Sequence, residues 1–434
     1  MSNTYTPIIG LEVHIELNTK TKMFCSCSAD HFGKKPNTQV CPVCLGLPGA
    51  LPFANKEAVN KTIKFGLALG CEISKLSKFY RKNYFYPDLP KGFQTSQLDS
   101  PLCVGGRFNE KRINHIHLEE DAGKLVHQEV EGKKVSLVDF NRSSVPLMEL
   151  VTEPDFHTTD EIVIFLKEMQ LIARYLGISN ADMEKGSMRL EANISLSPDG
   201  NLPDYKVELK NINSFKFLEK AVNAEIKRQE ILLKNGEKVE QETRGYDEVK
   251  QTTYLQRSKA DAHDYRYFPE ADLPPMRLSD SDIVSIKNEL PELPETKRDR
   301  LQKEYGLSKD FADILSLDSA RANYFEEAVR FMDPSLASPK FVADLMINKK
   351  LDKDYPEAAG FVKKIVELTK VDYASNEETQ KAVEEVLLEQ PKAVEDYKQG
   401  NVNVLGFLIG MVQKNLKGKG NVNFIQDNLK KRLQ

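Results

Sequence analysis

Four cysteines and a set of acidic strand faces are the residues best suited to chemistry in this sequence. Cys25-Ser-Cys27 is followed, thirteen residues on, by Cys41-Pro-Val-Cys44. Two close thiolate pairs suit tetrahedral zinc, and four thiolates leave no open position, so the ion would be structural. The plainer reading is a set of buried, inert thiols. His31 falls inside this loop, but the four thiolates already complete a tetrahedron. Glu12, His14 and Glu16 repeat every second residue, roughly 7 Å apart on one face of an extended chain. Glu119, Glu120 and Asp121 follow His115 and His117, and Glu191 stands between Arg189 and Asn193. Carboxylates converging from several strands would hold a hard cation such as Mg²⁺, whose remaining positions take phosphate oxygens. Lys82, Lys91, Arg142 and Arg189 are the cations available to those oxygens. Together they describe a phosphoryl-transfer site. A metal-dependent hydrolase would use the same parts. Each acidic cluster alone reads more simply as a solvated strand face with cross-strand ion pairs.

The surrounding loops favour a site. Lys82-Asn-Tyr-Phe-Tyr-Pro-Asp-Leu-Pro-Lys-Gly-Phe-Gln94 mixes cations, aromatics and amides in a Pro/Gly-rich segment, as binding loops do. Asp139-Phe-Asn-Arg-Ser-Ser-Val-Pro and Tyr265-Arg-Tyr-Phe-Pro have the same character. The sequence has no G-x-x-x-x-G-K-[ST] loop and no G-x-G-x-x-G after a strand, so a nucleotide site would be neither P-loop nor Rossmann. It also has no G-x-S-x-G elbow and no H-E-x-x-H.

The elements that must position these residues follow from periodicity. Gly10–Leu17 alternates strictly, with Leu11, Val13, Ile15 and Leu17 on one face. Met188–Leu196 alternates likewise, with Arg189, Glu191, Asn193 and Ser195 opposite the apolar set. Asn55 caps a predicted helix through Ile63 and Leu67 that stops near Gly70. Thr158 or Thr159 caps a second, carrying Ile162, Phe165, Leu166, Met169 and Ile172, with Gly177 as its stop. A third is predicted from about Ser214 to Gly236. Clustered strands with interspersed helices point to an α+β fold. Leu290-Pro-Glu-Leu-Pro reads as a linker, and the chain beyond it reads as helical. Val404, Leu405, Leu408, Met411 and Val412 mark one late amphipathic helix; Val422, Ile425 and Leu429 mark another.

With 434 residues, 29% of them charged and 40% hydrophobic, the chain can bury a sizeable core. It shows no secretory leader and no apolar run of membrane-spanning length, and six cysteines are too few for a disulfide scaffold. A cytoplasmic, reduced setting is expected. The net charge of −4 argues against a uniformly basic nucleic-acid binder. Its distribution says otherwise: residues 401–434 hold Lys414, Lys417, Lys419, Lys430, Lys431 and Arg432 against Asp427, a net of +5 that leaves −9 for the rest.

Seven ordered blocks then resemble one family. Ile9-Gly-Leu-Glu-Val-His14, Lys82-Asn-Tyr-Phe-Tyr-Pro, His117-Leu-Glu-Glu-Asp-Ala-Gly-Lys124, Val151-Thr-Glu-Pro-Asp155, Met183-Glu-Lys-Gly-Ser-Met-Arg, Glu208-Leu-Lys-Asn-Ile-Asn-Ser214 and Asp264-Tyr-Arg-Tyr-Phe-Pro269 are similar to the B subunit of aspartyl/glutamyl-tRNA amidotransferase, the GatB family. The resemblance implies a glutamine-synthetase-like α+β cradle over residues 1–293, with the cysteine loop 25–44 inserted. A helical domain over 294–375 and a tRNA-binding tail domain over 376–434 would follow. It implies ATP- and Mg²⁺-dependent phosphorylation of the side-chain carboxylate of Glu-tRNA(Gln) or Asp-tRNA(Asn). Ammonia would follow through a channel from an amidase A subunit, with a small C subunit to complete a heterotrimer. By motif, Glu12, His14, Glu120 and Glu191 match metal-site and catalytic residues, and Lys82 and Lys91 match site or channel cations. Arg142, Arg189 and Asn193 are assigned to ATP. Zinc on the four cysteines would be structural. The stretch from about Pro334 to Ser375 reads as shortened. The alternatives are a non-catalytic tRNA-binding scaffold of the same complex and a stand-alone metal hydrolase.

Overall fold

The alternation around Gly10–Leu17 becomes the central strand β1, Thr6–Glu16, of a computed structural model that describes residues 5–258, 265–369, 374–399 and 401–433. Chain contacts divide it into two units, residues 1–297 and 298–434. In the first unit, α1 (Lys56–Ala68), β2 (Lys111–Glu120), β3 (Pro146–Thr152), α2 (Thr159–Tyr175), β4 (Met188–Ser197), β5 (Val207–Ile212) and α3 (Phe215–Lys234) follow β1 in order. The strands run β5-β4-β1-β3-β2 at the middle of a ten-stranded sheet, all antiparallel to their neighbours.

One face of that sheet is the core. Leu11, Val13 and Ile15 of β1, Ile116 and Leu118 of β2, Met148 and Leu150 of β3 and Leu190, Ala192 and Ile194 of β4 are all buried in one cluster. The helices close over it as their periodicity requires, with Ile63 of α1, Phe165, Leu166, Met169 and Ile172 of α2, and Leu218, Ala221 and Val222 of α3 in the same cluster. Their starts are fixed by capping side chains: Asn55 Oδ1 accepts from the Ala58 N–H at 3.1 Å, Thr158 forms a capping box with Glu161, and Ser214 accepts from Phe217. Phe165 lies edge-on to Phe156 at 5.1 Å and is 1% exposed. Phe165→Ala is expected to destabilise this unit by ~3–5 kcal/mol, read from the shift of its denaturant midpoint.

A bulge shapes the other face. Leu190 pairs with Ile212 and Ala192 with Leu209, so Lys210 and Asn211 together oppose the single residue Glu191. Asn211 has φ 62, a left-handed conformation that asparagine tolerates. The extra residue turns the Lys210 side chain onto the β4 acid.

The second unit is helical throughout its described residues apart from turns. It holds one apolar cluster built around Phe325, Met346 and Phe361, and another built by Val383 and Val386 with Leu408, Val412, Ile425 and Leu429. The two late helices are Val404–Asn415 and Val422–Leu433. Val422, expected on the apolar stripe, is instead 51% exposed at the start of its helix. Gly420 sits tightly in the connection, since a Cβ there would press on the side-chain ends of Ile425 and Leu416 and oblige them to shift. No described helix is long and apolar enough to cross a membrane.

Candidate active site and candidate metal centre

Residues that alternate away from the core converge on the opposite face of the same five strands. The register places Glu12 beside Glu191, and His14 between Glu149 and Arg189. His117 lies opposite Glu149 on the next strand, with Glu119 two residues further on. His14 Nδ1 is 3.3 Å from Glu119 and 3.9 Å from Glu149. His117 Nε2 is 3.2 Å from Glu149 and 3.7 Å from Glu119. Asn193 Nδ2 donates to Glu12 Oε1 at 2.8 Å. Lys210 pairs with Glu191 at 2.9 Å and Glu208 at 3.3 Å. Glu12, His14, Glu119, Glu149, Glu191 and Lys210 line a cavity of about 350 Å³ that Lys82, Tyr84 and Arg189 also reach.

The electrostatics are those of a concentrated acid–histidine cluster. Burial works against the charged form of His14, but Glu149, Glu119 and Glu191 overcome it and push the imidazole up to about 9. The same contest pushes His117 up to about 10. Burial also favours a protonated Glu149, yet His14 and His117 hold it down to about 2. For half-buried His115, stacked on His117, desolvation and the neighbouring imidazolium outweigh Glu149 and Glu153 and lower it to about 4. Burial raises Glu191 despite Lys210 and His14.

Two donor sets could hold a cation: Glu12, His14 and Glu191, and His14, Glu119 and Glu149, with the ligand atoms of each set within 4.8 Å of one another. Among the described residues the buried Asn193 Oδ1 and His117 Nδ1 have no hydrogen-bond partner, so polar valence is left open beside both sets. Each set offers two carboxylates beside one imidazole, and carboxylate oxygens suit a hard cation.

Glu120 is not brought to Glu12, His14 and Glu191. Successive strand residues point to opposite faces. Glu119 therefore takes the cavity side, while Glu120 Oε1 accepts the Thr95 N–H at 2.8 Å and pairs with Lys91 on the other. Lys91 lies 4.9 Å above the Phe93 ring and lines a separate cavity of about 250 Å³ with Phe24, Gly46 and Glu270. Lys82 stays on the site side, 4.9 Å over the Tyr265 ring. Arg189 pairs with Asp121 at 2.8 Å and lines the site cavity. Arg142 is spent on the carbonyl oxygens of Ala122 and Gly123, with Asp121 at 3.6 Å. Beyond the acids lies a larger cavity of about 920 Å³, walled by Tyr84, Phe85, Tyr86, Tyr265 and Phe268. Asp264, at the head of that aromatic motif, is outside the described residues.

Glu149 had no visible signal in the sequence, and Lys210 stood only within the block Glu208-Leu-Lys-Asn-Ile-Asn-Ser214, with nothing to place it beside the acids. Glu149 sits in the apolar run Pro146-Leu-Met-Glu-Leu-Val, and Lys210 reaches the acids only through the bulge.

The four cysteines do converge. One sulfur from each of Cys25, Cys27, Cys41 and Cys44 lies within 4.8 Å of the others, a geometry that fits a tetrathiolate metal. Hydrogen bonding between the two thiols raises Cys25 strongly and holds Cys44 down to about 5. Burial raises Cys27 to about 11. His31 turns away to Glu16, at 3.2 Å.

A mixed α+β chain with this acid–histidine sheet face matches the GatB/GatE catalytic domain over residues 7–284, and a GatB domain over residues 324–433. Relatives named as the B subunit of aspartyl/glutamyl-tRNA(Asn/Gln) amidotransferase are 43% identical in Thermodesulfovibrio yellowstonii (98% of each chain) and 43% in Persephonella marina (99% of this chain, 100% of the relative). One from Clostridium beijerinckii is 44% identical over 99% of each chain. The chain belongs to the family of aspartyl/glutamyl-tRNA(Asn/Gln) amidotransferase B subunits. The alignments span 473 to 477 positions against 434 residues here, so these relatives carry residues that this chain lacks.

Proposed function

We propose that this chain phosphorylates the side-chain carboxylate of glutamate or aspartate misacylated on tRNA(Gln) or tRNA(Asn), and then amidates it with ammonia. The observation that carries this reading is the meeting of five acid and histidine side chains with Lys82, Arg189 and Lys210 in one cavity, in a chain of this family. A carboxylate is a poor acyl donor because its leaving group would be oxide. Its oxygen attacks the γ-phosphorus of ATP, and ADP departs. Ammonia then attacks the acyl carbon, phosphate leaves with that oxygen, and the nitrogen loses a proton.

Glu12, His14 and Glu191 would hold Mg²⁺, with Glu119 and Glu149 as the adjoining acids; the bound ion neutralises charge on the transferring phosphoryl group. As a ligand His14 would be the neutral imidazole. Lys82, Lys210 and Arg189 bind phosphate oxygens, and Lys210 keeps Glu191 and Glu208 neutralised until a substrate arrives. The aromatic walls around Tyr84 and Tyr265 offer flat faces on which a purine stacks. Lys91 and Glu120, on the far side of β2, are read as polar groups on the ammonia path. The sheet unit is taken as a glutamine-synthetase-like cradle, residues 294–375 as a helical domain and 376–434 as a tRNA-binding tail. The assembly is completed by an amidase A subunit, the ammonia source, and by a small C subunit. Zinc on the cysteines is structural, and the missing residues are assigned to the stretch from Pro334 to Ser375.

The test is reconstitution with both partner subunits, glutamine and ATP. Gln-tRNA(Gln) or Asn-tRNA(Asn) is the expected product; none from either acidic aminoacyl-tRNA would end the proposal.

For the tail, Lys414, Lys417, Lys419, Lys430 and Lys431 are all exposed, whereas Arg432 is paired with Glu384. Deleting residues 401–434 would strip Leu408, Val412, Ile425 and Leu429 from their cluster, so charge replacement is the cleaner experiment. Changing the five lysines to glutamine should weaken tRNA binding tenfold or more. It should also flatten the dependence of log affinity on log salt by ~0.7–0.9 per lost phosphate contact. Filter binding at several salt concentrations checks both, and an unchanged slope contradicts the assignment.

A further inference from the structure

Lys22 is fully buried, with 0% exposure. Its Nζ donates to the Phe140 carbonyl oxygen at 3.2 Å and lies 3.7 Å from Cys44 Sγ. Among the described residues no carboxylate pairs with it, and a buried cation needs a counter-charge. The anions within reach are thiolates. Four of them around a divalent ion carry a formal charge of −2, which one ammonium halves. Cys44 is also the sulfur that accepts the Cys41 backbone N–H, at 3.2 Å, so the two donors meet on one thiolate.

The same lysine lies where the cysteine loop is fastened to the segment carrying Arg142. Its own N–H bonds to the Cys27 carbonyl, which sets the turn of the first cysteine pair, and the Met23 N–H bonds to the Ser144 carbonyl. Ser143 Oγ donates to the Cys44 carbonyl, and the Gln39 N–H donates to Asn141 Oδ1. Arg142, between them, reaches the Ala122 and Gly123 carbonyls at the edge of the site.

We propose that Lys22 is the positioning cation of the cysteine metal centre: it offsets the thiolate charge through Cys44 Sγ and ties that sulfur to the segment bearing Arg142. This rests on reading the four cysteines as a metal site. The test loads the full chain with cobalt(II), whose thiolate charge-transfer band reports hydrogen bonding to sulfur. The wild type should bind one cobalt per chain with that band. Lys22→Met should bind about 10–100-fold more weakly, the usual cost of losing an outer partner of a metal ligand, with the band moved to longer wavelength. Lys22→Arg, which keeps the charge, should stay within a few-fold of wild type. Lys22→Gln keeps an N–H without the charge and should weaken binding as Met does, so it decides the matter if the Met variant does not fold. A variant lacking the charge that matches wild type in affinity and band overturns the role of Lys22. A wild-type chain that takes up neither cobalt nor zinc stoichiometrically overturns the metal reading, and the proposal with it.

Discussion

Glu191→Gln is expected to lower ATP-dependent amidation about a thousandfold, ~4 kcal/mol of barrier, whether ammonium or glutamine supplies the nitrogen. Glu191 stands across from Glu12 and shares one donor set with it and His14. Glutamine has the same shape, and its amide oxygen can still accept from Lys210, so β4 and its bulge are retained. What disappears is the negative charge that holds the cation. The loss should therefore fall on the phosphoryl step, with glutamine hydrolysis by the partner and tRNA affinity left within a few-fold of wild type. Single-turnover amidation with ammonium measures this. Retention of more than a tenth of the wild-type rate would remove Glu191 from the chemistry.

Two adjacent glutamates should separate the two halves of the reaction. Glu119 faces His14 and His117, whereas Glu120, only 2% exposed, faces Lys91 and the Thr95 N–H. Glu119→Gln should behave like Glu191→Gln and fail with either nitrogen source. Glu120→Gln should lose about a hundredfold with glutamine and stay near wild type with saturating ammonium. The comparison is controlled by its own chemistry, since both changes remove one buried carboxylate from the same strand end. A Glu120→Gln enzyme that fails equally with ammonium would place Glu120 in the phosphoryl site, as its motif position alone implied.

Much of this arrangement was legible in the residues. Alternation in β1 and β4 gave both the core face and the acid face, because a half-buried strand writes its environment with a period of two. The caps at Asn55, Thr158 and Ser214 mark the three helices because polar side chains there satisfy free backbone N–H groups. What escaped the sequence depended on pairing. Glu119 and Glu120 are the last two residues of their strand, followed by a third acid, so composition did not say which one faced the histidines. Glu149 is masked by apolar neighbours on both sides of it in the sequence, although its strand has only one face on the core. Lys210 depends on a one-residue bulge, which shifts parity without changing composition. The cysteine pairs were plain from spacing, but their buried neighbour Lys22 reads in sequence as one more surface lysine.

Oxygen transfer tests the central claim most directly. Glu-tRNA(Gln), or Asp-tRNA(Asn), labelled with ¹⁸O in both side-chain carboxylate oxygens is converted by the reconstituted enzyme with ATP and ammonium, and the released phosphate is analysed by mass. If the carboxylate is phosphorylated before ammonia attacks, each phosphate carries one ¹⁸O and the product amide keeps the other. Amide product accompanied by unlabelled phosphate would show that ATP is hydrolysed by water and that the carboxylate is never activated by phosphorylation.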